Sequence, residues 1–229
     1  MPNGWRVYQK SSHDMCELKD EEIQTIFTSP PYWNKRLYSK KGGLGNEKTS
    51  EEFIKSLELE FGDFYLLPEG GTNTLAVRGC EEILNLDDKN FDYICSAVGT
   101  GGTISGLINA SLSHQKVFGF PALNGDFLCN EIKKYTSKTN WQLITDYHFG
   151  GYAKINEILI SFINDFNQQT TIPLDPIYTG KMVFGVIDLI KQNYFPENSK
   201  ILLIHTGGLQ GIEGMNLKLK SKKLPTLNY

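Results

Sequence analysis

The strongest constraint on the fold of this chain is a strand-like run that ends in glycines. Residues Phe91-Asp92-Tyr93-Ile94-Cys95-Ser96-Ala97 lead into Val98-Gly99-Thr100-Gly101-Gly102-Thr103, and these into the helix-like Ile104-Ser105-Gly106-Leu107-Ile108-Asn109-Ala110. A buried strand whose glycines open a helix leaves backbone N–H groups free at the positive end of a dipole, which is what a phosphate needs. The same pattern also serves a plain strand-to-helix turn, because glycine permits left-handed backbone. The rest of the chain has to separate the two readings.

After residue 90 the elements alternate in the manner of a parallel sheet with crossover helices. Phe91 to Ala97 reads as strand, Thr103 to Ser113 as helix, Lys116 to Phe120 as strand, Asp126 to Tyr135 as helix and Trp141 to Thr145 as a weaker strand. Tyr152 to Phe166 carries Ile155, Ile158, Leu159, Phe162, Ile163 and Phe166 at a helical period, and Gly180 to Gln192 repeats that type. Lys200 to His205 is a short apolar strand that runs into a second glycine turn, Thr206-Gly207-Gly208. This alternation predicts an α/β fold with chemistry at the carboxyl ends of the strands, and it puts both glycine turns on one edge of the sheet.

Composition narrows the function classes. With 229 residues, 40% of them hydrophobic, and a net charge of −3, the chain has length enough for a real core and no basic balance that advertises nucleic acid. Lys35, Arg36, Lys40, Lys41 and Lys48 form a local cluster that reads as a solvated loop. No stretch approaches the roughly 18 apolar residues of a membrane span, and the start has no apolar core of signal-peptide length, so the expectation is a cytoplasmic protein. Cys16, Cys80, Cys95 and Cys129 are widely separated and share no ligand spacing with His13, His114, His148 or His205. Reduced, mostly buried thiols and no metal site are expected.

Five segments then coincide with one family. They are Leu67-Pro68-Glu69-Gly70-Gly71-Thr72-Asn73, the loop Gly99 to Thr103, Phe149-Gly150-Gly151-Tyr152-Ala153-Lys154, Leu174-Asp175-Pro176-Ile177-Tyr178-Thr179-Gly180-Lys181-Met182 and His205-Thr206-Gly207-Gly208-Leu209-Gln210-Gly211. In that order they resemble the 1-aminocyclopropane-1-carboxylate deaminase/D-cysteine desulfhydrase family, over about residues 61 to 229. The resemblance implies a pyridoxal-phosphate-dependent enzyme of fold type II, tryptophan-synthase β-like, acting on a small amino acid. It implies that Gly99, Thr100, Gly101, Gly102 and Thr103 cradle the cofactor phosphate, that Tyr178 takes part in proton transfer, and that Thr179 or Thr206 sits by the pyridine nitrogen. Deaminase-type members tend to carry Glu after that tyrosine, so Thr179 points toward D-cysteine or a related substrate.

The chain also departs from the family. The segment with the lysine that carries the cofactor as a Schiff base, and the Ser-Asn loop after it, are not recognisable. Lys154 and Lys181 belong to other motifs and read as structural or surface lysines. The fold is therefore expected to be incomplete, with an uncovered edge that favours self-association, and the chain as it stands is expected to be inactive. In place of the missing half, Ile23 to Asn34 with Gly42-Gly43-Leu44-Gly45 and Ser50 to Ile54 resembles the catalytic-motif region of DNA methyltransferases acting on exocyclic amino groups. This resemblance, over about residues 8 to 57, implies a small α/β fragment in which Ser29, Pro30, Pro31 and Tyr32 hold a flipped base. Residues 1 to 60 and 61 to 229 are read as two parts, joined without a flexible linker.

Three functions follow: a pyridoxal-phosphate deaminase or desulfhydrase, a base methyltransferase fragment using S-adenosylmethionine and DNA, or a non-catalytic remnant that still binds phosphate-bearing ligands. Against the second, the acidic-proline-aromatic lead-in expected of an S-adenosylmethionine loop is replaced by Cys95-Ser96-Ala97-Val98.

Overall fold

A computed structural model describes residues 47–123 and 127–229. Of the segment read as methyltransferase-like, about residues 8 to 57, the part before residue 47, with Ser29, Pro30, Pro31 and Tyr32, lies outside the described residues. The chain divides into two compact units, Met1–Leu66 and Leu67–Tyr229. In the first, helix α1 (Ser50–Phe61) starts at Thr49, whose hydroxyl accepts from the Glu52 amide at 3.2 Å, and carries Glu51 and Glu52 where a helix dipole favours acid. It stops at Gly62, whose φ of 68° only glycine adopts cheaply.

The second unit is a layered α/β fold. Helix α2 (Thr74–Glu81), capped by Asn73, precedes strand β1 (Tyr93–Val98); helix α3 (Gly102–Ala110), strand β2 (Lys116–Pro121), helix α4 (Phe127–Lys133) and strand β3 (Trp141–Leu143) follow. Helices α5 (Glu157–Thr170) and α6 (Thr179–Lys191), strand β4 (Ile201–Ile204) and helix α7 (Ile212–Ser221) complete it. The strands are all parallel in the order β3-β2-β1-β4, with Cys95 opposite Phe118 on one side and Leu203 on the other.

Side chains of β1 alternate between two cores. Ile94 and Val98 pack with Val117 under Ile104, Leu107 and Ile108 of α3 and Leu128 and Ile132 of α4. Tyr93, Cys95 and Ala97 pack with Phe118 and Phe120 against Leu159 and Ile163 of α5, Met182 and Val186 of α6 and Met215 and Leu219 of α7. The central strands β1 and β2 are thus covered on both faces, which is why they read as continuous apolar runs, whereas all four residues of β4 are only partly buried. Each fully buried Leu or Ile contributes about 1.5–3 kcal/mol, so two such layers carry the stability of the unit.

The expected parallel alternation is present, with corrections at element ends. The helix expected from Tyr152 begins at Glu157, because Asn156 caps it (Leu159 amide to Asn156 Oδ1, 2.9 Å) and residues 149–153 form turns instead. The strand expected to reach Thr145 ends at Leu143, and α3 ends at Ala110 rather than Ser113. Cys80, Cys95 and Cys129 carry free thiols, but of these only Cys95 is fully buried. Among the described residues no helix is long and apolar enough to cross a membrane.

Candidate active site

Helix α3 leaves β1 over one face of the sheet, and α7 leaves the neighbouring parallel strand β4 over the other. Loops that diverge in this way open a crevice at the carboxyl ends of the strands, the switch point where α/β folds bind ligands. A cavity of about 650 Å3 lies there, within the range of small-molecule sites. Its walls include the loop Gly99 to Thr103, Thr206 to Gly208 after β4, Gly70 to Thr72, Tyr152 and Tyr178. None of the described residues that line it is charged.

Two helices start in this neighbourhood, and they differ in one respect. At α6, Asp175 takes up the first donors: Oδ1 accepts from the Ile177 and Tyr178 amides, both at 2.8 Å, and Oδ2 accepts from the Thr179 amide at 2.8 Å and its hydroxyl at 2.6 Å. At α3 the cap is Gly101, with φ 96° and no side chain to accept anything. The first-turn N–H groups of α3 have no acceptor inside the helix, so they point a positive dipole end at the cavity. The Ser105 hydroxyl turns back onto the Gly101 carbonyl at 2.7 Å and fixes the turn.

Hydroxyls complete the donor set. Thr72 Oγ1 and Thr100 Oγ1 lie 2.6 Å apart and tie the loop before α2 to the glycine loop. Gly70 allows that approach: a Cβ there would fall 2.4 Å from Thr100 Oγ1. The Tyr178 ring stands over Gly99, with its Cε1 3.4 Å from where a Cβ would sit, and it meets the Tyr152 ring edge-on at 6.1 Å.

The structure therefore brings Gly99, Thr100, Gly101, Gly102, Thr103, Tyr178 and Thr206 to one cavity. Thr179 is elsewhere: it is wholly buried and its hydroxyl is spent on Asp175, donating to the carboxylate and accepting from the Asp175 amide at 3.0 Å. Lys181 is also buried and turned away, donating to the carbonyls of His148 and Gly151 at 2.8 Å each. Burial lowers its pKa from 10.5 to about 8, opposed by the nearby Asp175 carboxylate. Lys154 is exposed. Among the described residues no lysine lines the cavity. Sequence reasoning missed Thr72 and Tyr152 as lining residues, although both stood inside motifs it had singled out.

A protein of Pyrococcus horikoshii named as a candidate 1-aminocyclopropane-1-carboxylate deaminase is 32% identical over 193 residues, covering 77% of this chain and 59% of that protein. The Arabidopsis thaliana protein named bifunctional D-cysteine desulfhydrase/1-aminocyclopropane-1-carboxylate deaminase, mitochondrial, is 33% identical, covering 78% of this chain and 50% of its own length. The crystal structure of an ACC deaminase homologue superposes with a TM-score of 0.63 at 32% identity, over 75% of this chain and 57% of that one. The chain is a homologue of part of these proteins. It spans between half and six tenths of the length of the two curated relatives. No protein-family model matches it. The resemblance carried by the five motifs is thus supported, and the homologous region has the α/β parallel-sheet fold of the solved homologue. The methyltransferase reading draws no support from these relatives.

Proposed function

We propose that Leu67–Tyr229 is the phosphate-holding portion of a pyridoxal-phosphate-dependent deaminase or desulfhydrase that acts on a small amino acid of the D-cysteine or 1-aminocyclopropane-1-carboxylate type. The observation that carries this reading is the contrast between the two helix starts: α6 is closed by Asp175, whereas α3 offers open N–H donors to a cavity lined by the Thr72–Thr100 hydroxyl pair. The donor set fits a phosphate monoester, because an anion without a lysine or arginine partner needs several neutral donors and a dipole end. Gly99 to Thr103 would hold the phosphate, and Thr206, which lines the same cavity on the turn after β4, would be the hydroxyl that meets the ring. When bound, pyridoxal phosphate supplies an electron sink for charge developing at the substrate's α-carbon.

Tyr178 is the proposed proton-transfer group; it lines the cavity, with its backbone held by Asp175 and its ring against Gly99 and Tyr152. The Thr179 side chain is turned into the Asp175 carboxylate and away from the cavity, so it does not choose between the two substrate types. The described residues that line the cavity include no amine to carry the cofactor or the α-proton, so on this reading they do not by themselves turn these substrates over.

The test is to titrate the purified chain with pyridoxal phosphate, reduce with borohydride and map the peptides. The reading expects binding that inorganic phosphate competes away, no reduced lysine adduct within residues 47–229, and no sulfide or 2-oxoacid release from D-cysteine. Binding indifferent to phosphate would move the site off α3. A mapped lysine adduct with turnover would overturn the inactivity.

A further inference from the structure

Between α5 and the sheet, residues 149–153 hold an unusual backbone. Phe149 and Ala153 have φ of 56° and 52°, and Gly150 and Gly151 have 93° and 115°. For residues with a Cβ such angles cost of order 1 kcal/mol or more each, and they persist only where the surroundings over-determine them. The segment is a double turn: the Gly151 amide donates to the His148 carbonyl at 3.0 Å, and the Lys154 amide donates to the Gly151 carbonyl at 3.2 Å. Those same two carbonyls are the acceptors of Lys181 Nζ, at 2.8 Å each. One lysine, 1% exposed as a residue, thus binds the closing carbonyl of each turn through its ammonium.

The double turn delivers Tyr152 to the cavity, and Lys181 stands three residues after Tyr178, on the same first turn of α6. Burying a lysine amine costs far more than a local turn needs, so the cost has to be met by something the position does. We infer that Lys181 is a positioning residue of this cavity: it clamps the strained double turn 148–154 and thereby sets Tyr152 against Tyr178 at the mouth. It touches neither the glycine loop nor the cavity and acts through the turn alone. The inference rests on the proposed function only in taking the cavity to be a ligand site.

Amide hydrogen exchange on the full chain without ligand reads the clamp directly. The amides of Gly151 and Lys154 should exchange about as slowly as those in the middle of α6, and Lys181→Met should speed them by about tenfold or more, the loss of charge-assisted bonds, while β1 and α3 keep their rates. Ala153→Gly removes the left-handed penalty at one position, so adding it to Lys181→Met should restore part of the protection; a lysine that merely filled space would give no such rescue. Unchanged exchange in Lys181→Met, or fast exchange of these amides in the unaltered chain, overturns the proposal. The second of these outcomes needs no variant and so decides the matter even where Lys181→Met fails to fold. Ligand titrations separate this inference from the proposed function. Lys181→Met should keep its affinity for inorganic phosphate and lose affinity for pyridoxal phosphate several-fold. An unaltered chain that binds neither ligand refutes the proposed function and leaves the exchange experiment to judge the clamp.

Discussion

Asp175→Ala tests how the fold holds Tyr178. The carboxylate is 2% exposed and accepts four hydrogen bonds, from the amides of Ile177, Tyr178 and Thr179 and from the Thr179 hydroxyl, at 2.6–2.8 Å. Hydrogen bonds to a charged acceptor are worth about 1.5–3 kcal/mol each, but four on one side chain do not add, and the buried Thr179 donors would be left without an acceptor. Truncation should therefore cost about 3–5 kcal/mol, a large share of the roughly 5–15 kcal/mol that stabilises a domain. Asparagine keeps one acceptor oxygen but sets an amide donor against the Thr179 donors, so Asp175→Asn should lose about half as much. In urea unfolding with a slope of about 2 kcal/mol per molar, Asp175→Ala moves the midpoint down by roughly 2 M and Asp175→Asn by roughly 1 M. A shift below about 0.5 M for Asp175→Ala would refute the reasoning, since it would mean the α6 start is held by other groups.

Other expectations follow from close contacts and from titration. At Gly106 a Cβ would come within 2.5 Å of Cys80 Cβ and 2.6 Å of the Val77 carbonyl, so Gly106→Val should force α2 off α3 at a cost of about 3 kcal/mol, read by the same urea transition. The Cys95 thiol, wholly buried and pushed up to about 12 by desolvation, should resist a thiol reagent at neutral pH that labels the half-buried Cys80 and Cys129, and should react only in denaturant, as mass mapping will show. Lys181 has a folded-state pKa near 8 against an ordinary 10.5, so between those values the unfolded chain binds more protons and this group makes stability rise with pH. The stability difference between the unaltered chain and Lys181→Met should shift in favour of the unaltered chain as pH climbs through that window, with no change below it; a flat difference would contradict the buried ammonium.

The parts of the fold legible in the sequence are those where period and punctuation agree. The run into Gly99 to Gly102 could only be a buried strand breaking into a helix, and β2, α6 and β4 lay where apolar period and flanking turn residues put them. Helix α2 was not legible because eight residues with a glycine at position 79 give too little period, and its partner is the far side of α3. The start of α5 was misplaced because Tyr152 and Ile155 continue the apolar spacing, while the cap at Asn156 and the left-handed angles at Phe149 and Ala153 carry no periodic signal. Of the site, the glycine loop, Tyr178 and Thr206 could be read from motifs. That Asp175 consumes the Thr179 hydroxyl, and that Lys181 faces two carbonyls rather than the cavity, depends on contacts between segments some thirty residues apart or on the local fold of a turn. No pattern of residue types encodes such contacts.

The proposed function requires the open first turn of α3 to be an anion site. Three or four neutral donors at about 1 kcal/mol each, with a further contribution of about 1 kcal/mol from the helix dipole, correspond to a dissociation constant near a millimolar for inorganic phosphate. Gly101 has φ 96°, and a Cβ there would sit 3.2 Å from Ile132 Cγ1, so Gly101→Val strains the turn that aims those donors. Phosphorus NMR titration of the unaltered chain and of Gly101→Val with inorganic phosphate is the most direct measurement. Saturable binding near the millimolar range that Gly101→Val weakens by about tenfold or more is the predicted result. Binding of equal strength in both proteins, or none in the unaltered one, would contradict it.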